Sequence, residues 1–214
     1  MLWVRLDSTS NGTVQASTVE AASATDQTKV IEQSDTLILV NKSTSLDKNY
    51  VPSDLVWVDL RGVRETQLRQ EAADALEKLF KDADSKGITL YCCSGYRSYE
   101  TQQELYQENV NTYGQKQADL VSAKPGQSEH QTGLAMDVTA ESVNLDLDET
   151  FGETPEGEYV KNNAYKYGFI IRYPADKTAI TGYAYEPWHL RYVGTDAATT
   201  IHEKDITFEE YLKN

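Results

Sequence analysis

From Thr66 to Gly87 apolar residues recur at Leu68, Ala72, Leu76, Leu79, Phe80 and Ala83, with charged residues between them. Steps of three and four gather them on one face of a helix, and Gly87 is a natural stop. The run "ITLYCCSG" that follows is short and mostly apolar, the pattern of a buried strand closed by a glycine turn. Ser98 is placed to cap a second helix, "YETQQELYQENVNTYG", with Leu105, Tyr106 and Val110 inward. Further on, Thr154 and Pro155 read as the N-cap and first residue of a helix that Gly168 ends. "LAMDV", "FIIRYP" and "YEPWHLRYV" are strand-like, and "TLILV" at 36–40 is a short β-prone run. Thr207 with Glu210 makes a capping box for a last helix.

Helices and strands alternate without a regular βαβ rhythm, and no internal repeat is visible. The pattern predicts an α+β fold with a mostly antiparallel central sheet flanked by helices. Residues 1–35 have a different texture, rich in Ser, Thr, Ala and Gln with scattered acids. They are expected to form a flexible tether, with residues 36–214 as the folded domain.

Composition narrows the function classes. The chain has 214 residues, 39% of them hydrophobic, and 14 tyrosines, enough for the core of one domain. A formal charge of −14 argues against nucleic acid, which attracts basic surfaces, and offers nothing to an anionic membrane. The first residues lack the apolar run of a signal peptide or membrane helix. The two cysteines, Cys92 and Cys93, are neighbours, so a disulfide between them would be strained and they are not spaced as zinc ligands. They are expected to be small buried hydrophobes.

The candidate chemistry lies in "SEHQTGLAMD" and "YEPWHLRY". A helix would set His130 and Asp137 about 10 Å apart along its axis, too far for one metal ion. A straight strand would send them to opposite faces. A bend is required, and Gly133 supplies it. In the second stretch, alternation puts His189 and Arg191 on one face and Trp188, Leu190 and Tyr192 on the core face. Glu186 has the wrong parity, but Pro187 breaks the ladder and lets it sit beside His189. Two histidines and a carboxylate suit zinc with an open fourth position, and a spare glutamate suits the proton transfers of metal-assisted amide hydrolysis. His202 has no such company and is expected at the surface. Arg172 and Arg191 are expected to pair with carboxylates.

Together these two motifs, S-x-H-x-x-G-x-x-x-D and E-x-W-H, resemble the VanY-type zinc D-alanyl-D-alanine carboxypeptidases, in a wider group with L,D-carboxypeptidases and VanX-type dipeptidases. "SGYRSYETQQELY" and "PEGEYVKNNAYKYGFIIRYPADKT" add to the resemblance, which runs from about residue 37 to the C-terminus. It implies His130, Asp137 and His189 as Zn2+ ligands in a cleft and Glu186 as general base, then acid. It also implies Arg97 as the group steadying the scissile carbonyl, with Gln102 and Ser128 lining the substrate pocket. The implied reaction removes the terminal D-alanine from peptidoglycan stem peptides ending in D-Ala-D-Ala. Its alternatives are an L,D-carboxypeptidase acting on tetrapeptide stems and an inactive wall-peptide binding module. The expected location is extracytoplasmic, in a Gram-positive cell, as a monomer tethered to the membrane through a segment outside this sequence.

Overall fold

The computed structural model describes residues 36–213; the tether expected at 1–35 lies outside them. Strand β1 (Leu55–Trp57) pairs with β2 (Gln67–Arg69), which runs directly into helix α1 (Gln70–Ser85). Strand β3 (Tyr91–Ser94) precedes α2 (Tyr99–Tyr113) and α3 (Gln115–Val121). A 3-10 turn, Glu129–Thr132, leads into β4 (Ala135–Thr139). Helix α4 (Pro155–Asn163), β5 (Phe169–Tyr173), α5 (Thr178–Thr181), β6 (Glu186–Tyr192), α6 (Thr195–Lys204) and α7 (Phe208–Tyr211) complete the order. The main sheet runs β3-β4-β6-β5 with every neighbouring pair antiparallel, so the α+β architecture is as expected.

One face of α1 supplies Ala72, Leu76, Leu79, Phe80 and Ala83 to a core shared with Met136, Val138 and Leu190 of the sheet. Each buried Leu, Phe, Met or Val side chain among these contributes about 1.5–3 kcal/mol of transfer free energy. Alternation along β5 splits its residues between two cores: Phe169 and Ile171 join this one, while Ile170 joins a smaller cluster with Ala198, Ile201 and Phe208. The caps form as predicted. Ser98 accepts from Thr101 N at 3.2 Å, Thr154 from Gly157 N at 3.1 Å, and Thr207 and Glu210 make a reciprocal capping box. Cys92 and Cys93 are free and buried, and burial pushes the Cys92 thiol up to about 12, which keeps it unreactive near neutrality.

Three expectations need correction. Leu68 is fully buried but belongs to β2, because α1 starts at Gln70. Leu105 is 40% exposed, and Gln102 is the residue that α2 buries; both line the cleft, so this part of α2 meets that opening rather than a core. "TLILV" forms no strand. Its alternation is real, with Ile38 packing on the larger core and Leu37 and Leu39 on the smaller. Its backbone partner, however, is a side chain: Arg191 Nη2 donates to the carbonyls of Thr36 and Ile38 at 3.0 and 2.8 Å.

Gly157 shows how tightly the first turn of α4 is packed. A Cβ there would lie 1.9 Å from the carbonyl oxygen of Phe151, a backbone atom of a fully buried residue. Gly157→Ala is expected to cost about 2 kcal/mol through overpacking. Differential scanning calorimetry should show a melting temperature lower by roughly 4–8 °C.

Candidate functional site

The site is assembled by a turn and two strands. Gly133 ends the 3-10 turn in the left-handed conformation, φ 67°, and the Cβ of any other residue would lie 2.8 Å from Leu55. This is the bend anticipated between His130 and Asp137. On β4, Asp137 lies directly opposite His189 of β6, and Ser94 of β3 opposite Asp137, so the three share one face of the sheet. A register shift follows: β6 uses the four steps from Leu190 back to Glu186 where β5 uses the two from Ile171 to Tyr173. That irregularity at Pro187 brings Glu186 to His189, with Oε2 3.9 Å from Nδ1.

His130 Nδ1 lies 2.8 Å from the carbonyl oxygen of Gly95. A carbonyl only accepts, so Nδ1 carries the hydrogen and the Nε2 lone pair points inward, 3.3 Å from Asp137 Oδ2. His189 presents its other nitrogen: Nδ1 is 2.9 Å from Asp137 Oδ1, and Nε2 faces Glu129 Oε2 at 3.5 Å. One donor atom from each of His130, Asp137 and His189 falls within 4.8 Å of the others, and all three residues are buried. A nitrogen–nitrogen–carboxylate set of this size fits zinc, whose bonds to such atoms are about 2.0–2.2 Å long.

The electrostatics agree with a site built for a cation. Burial alone would raise the Asp137 carboxyl, yet His130 and His189 hold it well below the usual carboxylate range. Burial opposes a charge on His189, but the hydrogen bond to Asp137 and the nearby Glu129 carboxylate outweigh it and push the ring up to about 10. His130 is lowered, chiefly by burial, with Arg97 adding to the effect. For Glu186, burial drives the carboxyl up to about 7; Asp137 and Glu129 add to this, and His189 and Arg97 oppose it. A carboxyl poised near neutrality is suited to taking a proton and giving it back.

These residues line a cavity of about 210 Å³ that also takes in Arg97, Gln102, Ser128 and Leu105. Arg97 donates from Nη1 to Gln102 Oε1 at 2.7 Å and from Nη2 to Ser94 Oγ at 2.9 Å. Gln102 is itself fixed, its Nε2 donating to the Ala123 carbonyl at 2.7 Å. The structure thus brings together all seven site residues singled out from the sequence: Arg97, Gln102, Ser128, His130, Asp137, Glu186 and His189. His202 is exposed and stacks on Tyr165 instead.

Sequence reasoning passed over Glu129, though it expected Arg172 and Arg191 to pair with carboxylates, as they do. Glu129 is 1% exposed, and its Oε1 accepts from Arg172 Nε and Arg191 Nη1, both at 2.8 Å. Arg172 also makes a two-pronged bond to Glu209 at 2.6 and 2.9 Å. Burial would raise the Glu129 carboxyl, but the two guanidinium charges hold it well below the usual range. The available signal was position alone, since Glu129 stands between Ser128 and His130 in the motif.

The VanY family model, described as D-alanyl-D-alanine carboxypeptidase, matches residues 65–195. A Bacillus subtilis protein provisionally named carboxypeptidase YodJ is 50% identical over 182 residues, covering 83% of this chain and 67% of that protein. Among solved structures, the LdcB LD-carboxypeptidase is 49% identical with a TM-score of 0.80, covering 85% of this chain and 87% of its own. A mutant of the vancomycin-resistance D,D-pentapeptidase VanY in complex with Zn(II) is 36% identical with a TM-score of 0.70, covering 83% and 99%. The match spans the turn, both ligand-bearing strands and the arginine, which are the parts that build the cleft. This chain is therefore a peptidase that belongs to the VanY family of D-alanyl-D-alanine carboxypeptidases.

Proposed function

We propose that this protein is a zinc-dependent carboxypeptidase that releases the C-terminal D-alanine of peptidoglycan stem peptides. His130, Asp137 and His189 are its zinc ligands, Glu186 carries the proton and Arg97 steadies the scissile carbonyl. The observation that carries this reading is the convergence of three buried donor atoms, within 4.8 Å of one another, on a cavity whose wall holds a glutamate raised to about 7.

When bound, zinc supplies a Lewis acid that acidifies a water and polarises a carbonyl. The chain's own residues do the rest. Glu186 takes the proton of the attacking water at its carboxylate and passes it to the leaving amine of D-alanine. Arg97, held by Gln102 and Ser94, keeps further N–H donors for the oxygen on which charge develops. Gln102 serves the pocket by fixing Arg97, and Ser128 lines it beside His130.

Two readings of the scissile bond follow. The family description and the VanY neighbour support cleavage of a stem ending in D-Ala-D-Ala. The L,D reading, cleavage of a tetrapeptide stem, is favoured by the higher identity and TM-score of LdcB, 49% and 0.80 against 36% and 0.70. Incubating the zinc-loaded protein with matched pentapeptide and tetrapeptide stems, and following D-alanine by mass spectrometry, separates them. Release from the pentapeptide alone establishes D,D specificity; release from the tetrapeptide establishes L,D. Release from neither leaves the binding-module reading. The substrate puts the site of action outside the cytoplasmic membrane. Among the described residues no helix is long and apolar enough to cross one.

Arg97→Ala tests the oxyanion role. kcat is expected to fall by about 10²–10³ with a much smaller change in KM, the signature of an interaction made in the transition state. A mainly raised KM would instead make Arg97 a ground-state binding group.

A further inference from the structure

Two buried atoms face each other behind the site. Glu129 Oε2 and His189 Nε2 lie 3.5 Å apart, at the outer limit of a hydrogen bond, and neither makes a well-formed hydrogen bond to any other group among the described residues. Buried polar atoms are rarely left unpaired, so two that are close to bonding distance point to a bond completed in the working site. The other oxygen of Glu129 is fully engaged by Arg172 and Arg191. Those arginines are held in turn: Arg172 by Glu209, and Arg191 by the carbonyls of Thr36, Ile38 and Tyr192. Two buried guanidinium groups and two buried carboxylates balance in charge, and their bonds fix Glu129 in place behind the ring.

We propose that Glu129 is a positioning residue for the metal site: it accepts the Nε2 hydrogen of His189 and so aims the Nδ1 lone pair at the ion. The proposal rests on the reading of His130, Asp137 and His189 as metal ligands. The two histidines then bind through opposite ring nitrogens, each oriented from behind by a different acceptor, the Gly95 carbonyl for His130 and Glu129 for His189. A carboxylate behind a ligand imidazole makes the ring more basic and resists its rotation.

The test pairs a variant with a measurement on the unaltered protein. Glu129→Gln and the unaltered protein are titrated with zinc against a chromophoric chelator, and with cobalt while recording the visible d–d absorption. Loss of zinc affinity by about 10–100-fold, with a changed cobalt spectrum, is the expected result. Zinc affinity and cobalt spectrum both unchanged would overturn the proposal and leave Glu129 as a charge partner for the two arginines. Nitrogen-15 imidazole spectra of the zinc-loaded unaltered protein decide the matter even if Glu129→Gln does not fold. A hydrogen on Nε2 of His189, with Nδ1 shifted by the metal, supports the proposal; the opposite tautomer overturns it. Failure of the unaltered protein to bind zinc would overturn the ligand reading, and the positioning role with it. It is recognised separately because it appears before any variant is made.

Discussion

Glu186→Ala is expected to bind one zinc as tightly as the unaltered protein and to turn over stem peptide about 10²–10⁴-fold more slowly. The reasoning is geometric. Glu186 Oε2 is 3.9 Å from His189 Nδ1, while Asp137 Oδ1 is 2.9 Å from the same atom. Asp137 is thus the nearer carboxylate, and His130, Asp137 and His189 make a complete three-residue set without Glu186. Removing it should leave metal uptake intact while removing the group that moves the proton. Zinc measured by atomic absorption after gel filtration, beside the D-alanine assay, reads both quantities. Loss of zinc in this variant would make Glu186 a ligand and void its role as proton carrier.

His189→Ala should behave differently, losing both. The ring supplies one of three donors and lies between two buried carboxylates, Asp137 and Glu129. Its removal leaves those negative charges facing a hole, which costs stability as well as affinity. Zinc affinity is expected to fall by more than the roughly 10–100-fold typical of losing a residue behind a ligand, and D-alanine release to fall to background. Retained stoichiometric zinc at micromolar protein would show that His189 is not a ligand.

Much of the site was legible because its geometry is imposed locally. A glycine at φ 67° between His130 and Asp137 and a proline beside Glu186 are short-range causes, and a parity argument along a strand reaches them. The same holds for the caps at Ser98, Thr154 and Thr207, each decided within three residues. What was not legible depends on partners far along the chain. Glu129 meets Arg172 and Arg191 across 43 and 62 positions, and no periodicity encodes that meeting. "TLILV" has the alternation of a strand, but its carbonyls are taken by Arg191 across more than 150 positions. Leu105 has helical spacing, yet spacing cannot distinguish a face that meets a core from one that meets a cleft.

The arginine–glutamate cluster has a consequence for the chain as it is made. It takes its members from Thr36 and Ile38 near one end, from Glu129, Arg172 and Arg191 in the middle, and from Glu209 near the other. Synthesis adds Glu209 last of these, after the residues of every ligand-bearing strand have been joined to the chain. Until then Arg172 lacks the carboxylate that neutralises it, and the support behind His189 is unfinished. A chain broken off just before Phe208 would carry every residue of the cleft and still lack the last member of the cluster behind it.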